Sequence, residues 1–418
     1  MGVDSAAVRW GARAGFGLAG GVLSIAAGTA AWAAGPAVPP GFSIDTVATG
    51  GALSAPDDIA QLGNHLFVSF QNGVGPKGEP TKGGGRTSTV QEYTLGGVPV
   101  ARWTLTGKCD GLTADPANHR LIATVNEDGS SSLYTISPST SAPTHYTYRP
   151  GSLPHQGGTD SISVVSGQVL IAASAPNTAT GPAVYRARLA GNTATLTSVF
   201  TDTSSATTAN TGVSRGKREK LALTDPDSTE VVPSVSPRFA GDLLLDAQGD
   251  KQLVFTGTAT TPHPALSVLH TTTEVNDTAF ATTREGTLYV TDNARSSLIA
   301  IRGSFPVGTA YSAVPKDSSS HPGTVGTLNL FTGAVSPFAT GLGSPAGVLF
   351  VPSSGGVPGV GGTSGSASGR AQVGVVPAGG VATGGGSTSR APVGLLAGGG
   401  ALLLAAGALA GRRRLQRR

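Results

Sequence analysis

Cysteine occurs once in these 418 residues, at Cys109. An intrachain disulfide framework is therefore excluded, which is unusual for an exported domain, and stability has to come from burial. Amphipathic helical stretches of useful length are absent between Pro36 and Pro352, which excludes a helical bundle. The seven histidines show no i, i+4 metal spacing. The Gly-, Pro- and Lys-rich segment Gly73 to Gly85 lacks the Walker pattern, so it does not read as a phosphate loop. Acidic residues are missing from Ser353 to Arg390, where Gly, Ser, Thr, Val, Ala and Pro dominate. Such a segment buries too little apolar surface to fold and reads as a flexible stalk. Charged and polar side chains are missing from Ala391 to Gly411. Roughly twenty apolar residues suffice to cross a bilayer.

The two ends set the expected address. Arg9 and Arg13 precede the uncharged stretch Ala14 to Ala30, and Ala31-Trp32-Ala33 has the small-x-small pattern of a signal-peptidase site. Residues 1–33 are expected to be a secretory signal peptide, 34–352 the ectodomain, 353–390 the stalk, 391–411 a transmembrane helix and 412–418 a cytoplasmic tail. Five arginines in that tail orient the span with its C-terminus inside. The expectation is a single-pass cell-membrane protein with its ectodomain outside. The tail resembles Gram-positive and actinobacterial surface anchors. Thr383-Gly384 matches part of a sortase signal without its leading Leu, so membrane retention is preferred over cell-wall attachment.

The basic isoelectric point of 9.3 belongs to these ends. Two of the 28 Lys+Arg lie in the leader and five in the tail, while only Asp4 of the 24 Asp+Glu leaves with them. What remains is near neutral and offers no electrostatic footprint for nucleic acid.

Between the ends one step recurs: an aspartate, a spacer, then a small or aliphatic residue opening a β-like run. It reads Asp57-Asp58-Ile59, Asp110-Gly111-Leu112, Asp160-Ser161-Ile162, Asp227-Ser228-Thr229 and Asp277-Thr278-Ala279; Ala346-Gly347-Val348 repeats it without the acid. Second runs follow, such as Leu66–Phe70, Leu121–Val125 and Leu288–Thr291, with Gly, Asn, Asp and Pro between them. Radial β-repetition accounts for this, and the expected fold is all-β, a six-bladed β-propeller, with five or seven blades as alternatives. Phe42–Val47 has no step of its own and the sixth step lacks outer strands, so pairing the two closes the ring. Extra sequence between Ser304 and Val325 blurs the last blades.

The phrase Gly107-Lys108-Cys109-Asp110-Gly111-Leu112-Thr113-Ala114-Asp115, with a strand from Leu121, resembles the blade signature of NHL-type and gluconolactonase-like propellers. Thr124–Asp128 and Leu223–Ser228 resemble uncharacterised secreted bacterial proteins. The first resemblance implies a divalent metal in the central channel, held in that family by a glutamate, an asparagine and an aspartate, polarising a lactone. Here Asp57, Asp110, Asp160, Asp227 and Asp277 are the candidate ligands for Ca2+ or another divalent cation, with Asp58, Glu230 and Asn276 close by. No glutamate occupies the first step, and no catalytic base stands out beyond the ring. Several carboxylates facing one channel repel, so a cation, retained protons or water must compensate. The plain alternative is that each aspartate caps backbone N–H groups at the turn into its own blade.

Other motifs carry less. Cys109 reads as a small buried hydrophobe. Asn126-Glu127-Asp128-Gly129 resembles part of a calcium loop but lacks the spaced acids, so it reads as a hairpin turn built on Asp-Gly. Gly212-Val213-Ser214-Arg215-Gly216 has nucleophile-elbow spelling without the flanking strand and helix. Lys217-Arg218-Glu219-Lys220 reads as a solvated loop face, His155 as a surface loop residue, and Gly73–Gly85 as a loop overhanging one face. The expected role is binding of an extracellular protein, glycan or small ligand on one propeller face. The rivals are a metal-dependent hydrolase or lactonase working in the channel, and a structural envelope protein.

Overall fold

Strands in this chain read as apolar runs rather than strict alternations, as in Leu121-Ile122-Ala123, because each sheet is packed on both faces by its neighbours. The computed structural model describes residues 35–353, apart from 154–157, 175–180, 258–260, 262–263 and 317–322. The expected leader, stalk, span and tail, and His155, lie outside the described residues. Among those described, no helix is long and apolar enough to cross a membrane.

Pro56–Leu62, His65–Phe70, Thr87–Thr94 and Pro99–Thr106 form one antiparallel meander. Cys109–Asp115, Arg120–Val125, Ser132–Ile136 and Thr144–Tyr148 form the next, and Gly158–Val165, Gln168–Ser174, Pro182–Ala190 and Thr193–Thr201 another. A two-residue parallel pairing, Thr193 with Thr147 and Ala194 with Tyr148, joins these two at their outer edges. Pro226–Val231, Leu243–Ala247, Gln252–Gly257 and Ala265–His270 follow, widened by Ser205–Thr208 and Arg218–Lys220. The Lys217–Lys220 run is thus largely a short edge strand, not the loop its charges suggest.

Chain order breaks in the last two sheets. Asp277–Phe280 pairs with Ala310–Val314, followed by Gly323–Leu328 and Val335–Leu342. The intervening strands Glu285–Asp292 and Ser297–Ser304 join Pro345–Pro352 instead, with Ser43–Thr49 at the outer edge. The sixth step therefore has outer strands after all, taken from sequence that precedes it. The N-terminal strand closes that sheet from the far edge, two strands away from Val348, rather than by pairing with it. Phe42, Phe305, Tyr311, Phe338 and Phe350 seal the join with edge-on and tilted ring contacts, Phe42 to Phe338 at 4.9 Å.

The innermost strands begin at the repeated steps and contact one another in a closed circuit. The Leu112 amide donates to Asp58 Oδ2 at 2.7 Å, and Thr124 Oγ1 donates to the Asp160 carbonyl. Ser161 Oγ donates to the Asp227 carbonyl at 2.6 Å, and Asn276 Nδ2 reaches Asp227 Oδ2 at 3.4 Å. The Val348 amide donates to Asp277 Oδ2 at 2.7 Å, and Thr291 Oγ1 returns to the Asp57 carbonyl at 2.5 Å. Sheets arranged radially around one axis in this way are a β-propeller. Apolar side chains fill the wedges between them: Phe67 and Trp103 meet Leu121 and Tyr134, while Leu170 and Val184 meet Leu245 and Val254.

Candidate functional site: an acidic cluster at the channel

The repeated step is a repeated β-bulge. Register with the second strand slips between Pro56 and Ile59, Cys109 and Leu112, Thr159 and Ile162, and Pro226 and Thr229. Asp57, Asp110, Asp160 and Asp227 each occupy the first bulge position, and Ala346 does so in the last sheet. An extra residue in one strand re-aims its side chain, which turns these acids toward their counterparts instead of into a wedge between sheets. Gly111 and Gly347 fill the second position because nothing larger fits. A Cβ at Gly111 would lie 2.5 Å from the Asp160 carbonyl oxygen, and one at Gly347 2.6 Å from that of Asp57.

Three carboxylates converge. One oxygen each from Asp110, Glu127 and Asp160 lie within 4.8 Å of one another, and all three residues are buried. Glu127 follows the strand Arg120–Val125, in the turn read as a simple hairpin. That turn is held by the first sheet's long loop: the Asp128 amide donates to the Pro76 carbonyl at 3.0 Å. Lys108 enters the same cluster, its Nζ 2.6 Å from both Asp110 Oδ1 and Glu127 Oε1. Gln71 Nε2 adds a bond to Asp110 Oδ1 at 3.1 Å. Asp110 is 3% exposed, yet its Oδ2 is buried with no hydrogen-bond partner among the described residues. The Asp160 carboxylate, 7% exposed, has no hydrogen bond from any described residue.

The electrostatics follow from burial first and from crowding second. Burial raises the Asp110 carboxyl well above its ordinary range, with Lys108 opposing and Glu127 and Asp57 reinforcing. Asp160 is raised by burial and then by Asp227, Glu127 and Asp110. Asp227 is raised by burial and then by Asp225 and Asp246. Asp57, half-buried, is pushed up to about 6 by burial, with Lys108 pulling it down and Glu127 pushing it up. Burial opposes the Lys108 charge, but Asp110, Glu127 and Asp57 outweigh it and hold the ammonium protonated. Among the described residues one ammonium faces these five carboxylates, and protons or a further cation would offset the remaining charge.

Asp277 and Asp58 play another part. Asp277 Oδ1 accepts from the Thr278 amide at 2.7 Å and Oδ2 from Val348. Asp58 Oδ1 accepts from the Ile59 amide at 2.7 Å and Oδ2 from Leu112. Both strap one inner strand to the next. Asp277 is thus the counterpart of Asp58, not of Asp57, and Asn276 holds the position that the ring aspartates hold elsewhere. The Asp277 strand pairs in plain register at Asp277 with Ala313 and Thr278 with Ser312, so the spelling Asp-x-Ala conceals a one-residue offset. The capping role does operate here, reaching across to the neighbouring sheet.

Glu230 is half-buried and raised to about 8 by burial and by Asp277. Cys109 is fully buried, and burial pushes its thiol up, which removes it from reactive chemistry. Ser214 lies in an exposed turn with neither the strand nor the helix of a nucleophile elbow. The sequence does not mark Lys108 or Gln71, and it marks Glu127 only within a turn that resembles part of a calcium loop. The signal was hairpin arithmetic: Cys109 opposes Val125, so residues 126 and 127 return beside Lys108.

The converging carboxylates are spaced to fit one hard cation. Two ligands of one hard cation at about 2.4 Å each stand at most about 4.8 Å apart, the spread found for Asp110, Glu127 and Asp160. An orphaned buried oxygen on Asp110 and an all-oxygen donor set suit Ca2+, Mg2+ or Mn2+ rather than a soft metal.

No family model matches this chain, and no curated protein matches it. Solved structures do. The periplasmic gluconolactonase of Pseudomonas aeruginosa aligns at 12% identity and TM-score 0.40 over 71% of this chain and 88% of its own. A protein of unknown function from Bacteroides thetaiotaomicron aligns at 10% identity and TM-score 0.41 over 75% and 71%. The Cps50 β-propeller domain of Myceliophteria thermophila aligns at 13% identity and TM-score 0.34 over 71% and 74%. At these scores the likenesses carry no argument about function, and the fold rests on the ring of strands itself.

Proposed function

We propose that the protein is a six-bladed propeller, displayed outside the cell on a membrane tether, that binds a ligand at the channel mouth through a divalent cation. Asp110, Glu127 and Asp160 are the proposed ligands, with Asp57 and Asp227 completing the negative field. The single observation that carries this reading is the buried Asp110 Oδ2, an acceptor with no donor among the described residues, inside a converging carboxylate cluster. Leaving such a group unsatisfied costs about 1–3 kcal/mol or more, and a cation would relieve it. A bound cation would supply positive charge with open coordination positions for oxygen-rich ligands such as glycans or carboxylates.

Metal analysis of the full chain purified in detergent tests the site. One divalent ion per chain, lost in Asp110→Asn, is the expected result. A metal-free chain whose melting temperature ignores both calcium and chelator would remove the reading. The tether is tested by adding protease to intact cells, which should release the ectodomain by cutting within 353–390.

A hydrolase reading has one observation in its favour: Asp57, pushed up to about 6, is a carboxylate poised near neutral pH beside the cluster. Turnover of a lactone panel that disappears in Asp57→Asn would favour it over simple binding.

A further inference from the structure

Lys108 reaches into the carboxylate cluster that a cation would need. Its Nζ sits 2.6 Å from Asp110 Oδ1 and from Glu127 Oε1, two of the three carboxylates that converge. A cation held by Asp110 and Glu127 brings a second positive charge against this ammonium, so the two compete for the same carboxylate groups. The Lys108 backbone is pinned: its amide donates to Asn126 Oδ1 at 2.9 Å, and its carbonyl accepts from the Asn126 amide at 2.7 Å. Only the four-carbon stem can move. Asp57, within electrostatic reach of Lys108, offers the displaced ammonium another carboxylate.

We infer that Lys108 determines the specificity of the site: it is a tethered ammonium that competes with the incoming ion for Asp110 and Glu127. An ion is held only if its charge density repays the loss of that internal pair. Divalent cations meet this condition and monovalent ones do not. The inference rests on the cation reading above and adds its selectivity.

Calcium and manganese titrations of the full chain in detergent, followed by calorimetry and by melting temperature, provide the test. Lys108→Met should tighten divalent binding by about tenfold or more, the scale of one close charge coupling. It should also let potassium compete, which wild type resists. Lys77→Met removes an equal charge from the neighbouring loop and should leave affinity unchanged. Lys108→Gln is the second variant should the methionine disturb folding, and circular dichroism checks both. Tighter binding in either Lys108 variant, even where wild type binds nothing measurable, supports the competition. Wild type that binds while the Lys108 variants bind equally or more weakly overturns it and leaves the cation reading standing. If neither wild type nor the Lys108 variants bind, both readings fall.

Discussion

Asp110 and Asp277 sit on inner strands of the same ring, are both buried, and differ in what their oxygens meet. Asp277 spends both on backbone amides, one in its own strand and one in the next. Asp110 meets a lysine and a glutamine with one oxygen, and its other oxygen has no hydrogen-bond partner among the described residues. The first arrangement is a finished piece of architecture and the second is an unfinished one. Residue type and burial do not tell a strap from a binding group; the accounting of donors does.

Replacing each acid should separate them. Asp277→Ala is expected to cost about 2–4 kcal/mol in urea unfolding, because two buried amides lose their acceptor. Asp110→Asn should leave the ion-free protein as stable or more so, since it removes a crowded charge, while abolishing ion binding. Equal destabilisation by both variants would break the comparison. Next in size are Gly111→Ala and Gly347→Ala, each forcing a methyl against the backbone of the adjacent inner strand at a cost of about 1–3 kcal/mol.

The pH dependence sharpens the same contrast. Asp57 and Asp277 are raised to about 6 and Glu230 to about 8, so the native state keeps protons that the unfolded chain has already released. Their contribution to stability is full below the ordinary carboxyl range and is lost as pH rises through 6 and then 8. Without divalent ions the melting temperature should therefore be higher at pH 5.5 than at pH 8, and added calcium should flatten that slope. A flat profile in the ion-free protein would show that burial does not raise these carboxyls. The smallest effect is expected of Asn276→Asp. It restores an acid at the fifth ring position, loses the bond to Asp227 and should cost about 1 kcal/mol without ions, with recovery in calcium.

Much of this was legible beforehand because it is local. The Asp-x-apolar spelling marks Asp57, Asp110, Asp160 and Asp227 because a bulge at a fixed place in a hairpin is a short-range event. Asp277 misleads because the same spelling fits a residue one step along, and only strand register tells the two apart. The exchange of outer strands between the last two sheets was hidden for a related reason. Glu285–Asp292 is a good strand wherever it pairs, and its partner lies some sixty residues onward.

The amino-acid order by itself decided that this chain is all-β, that short acids open its innermost strands, and that no disulfide holds it. Those properties come from composition and from neighbours within a hairpin. Ring closure decided which acids meet, that Lys108 and Glu127 stand among them, and that Asp58 and Asp277 turn away to hold backbone. Such outcomes depend on the direction of side chains brought together from distant sheets, and on which oxygens are left without a donor once every strand is in place.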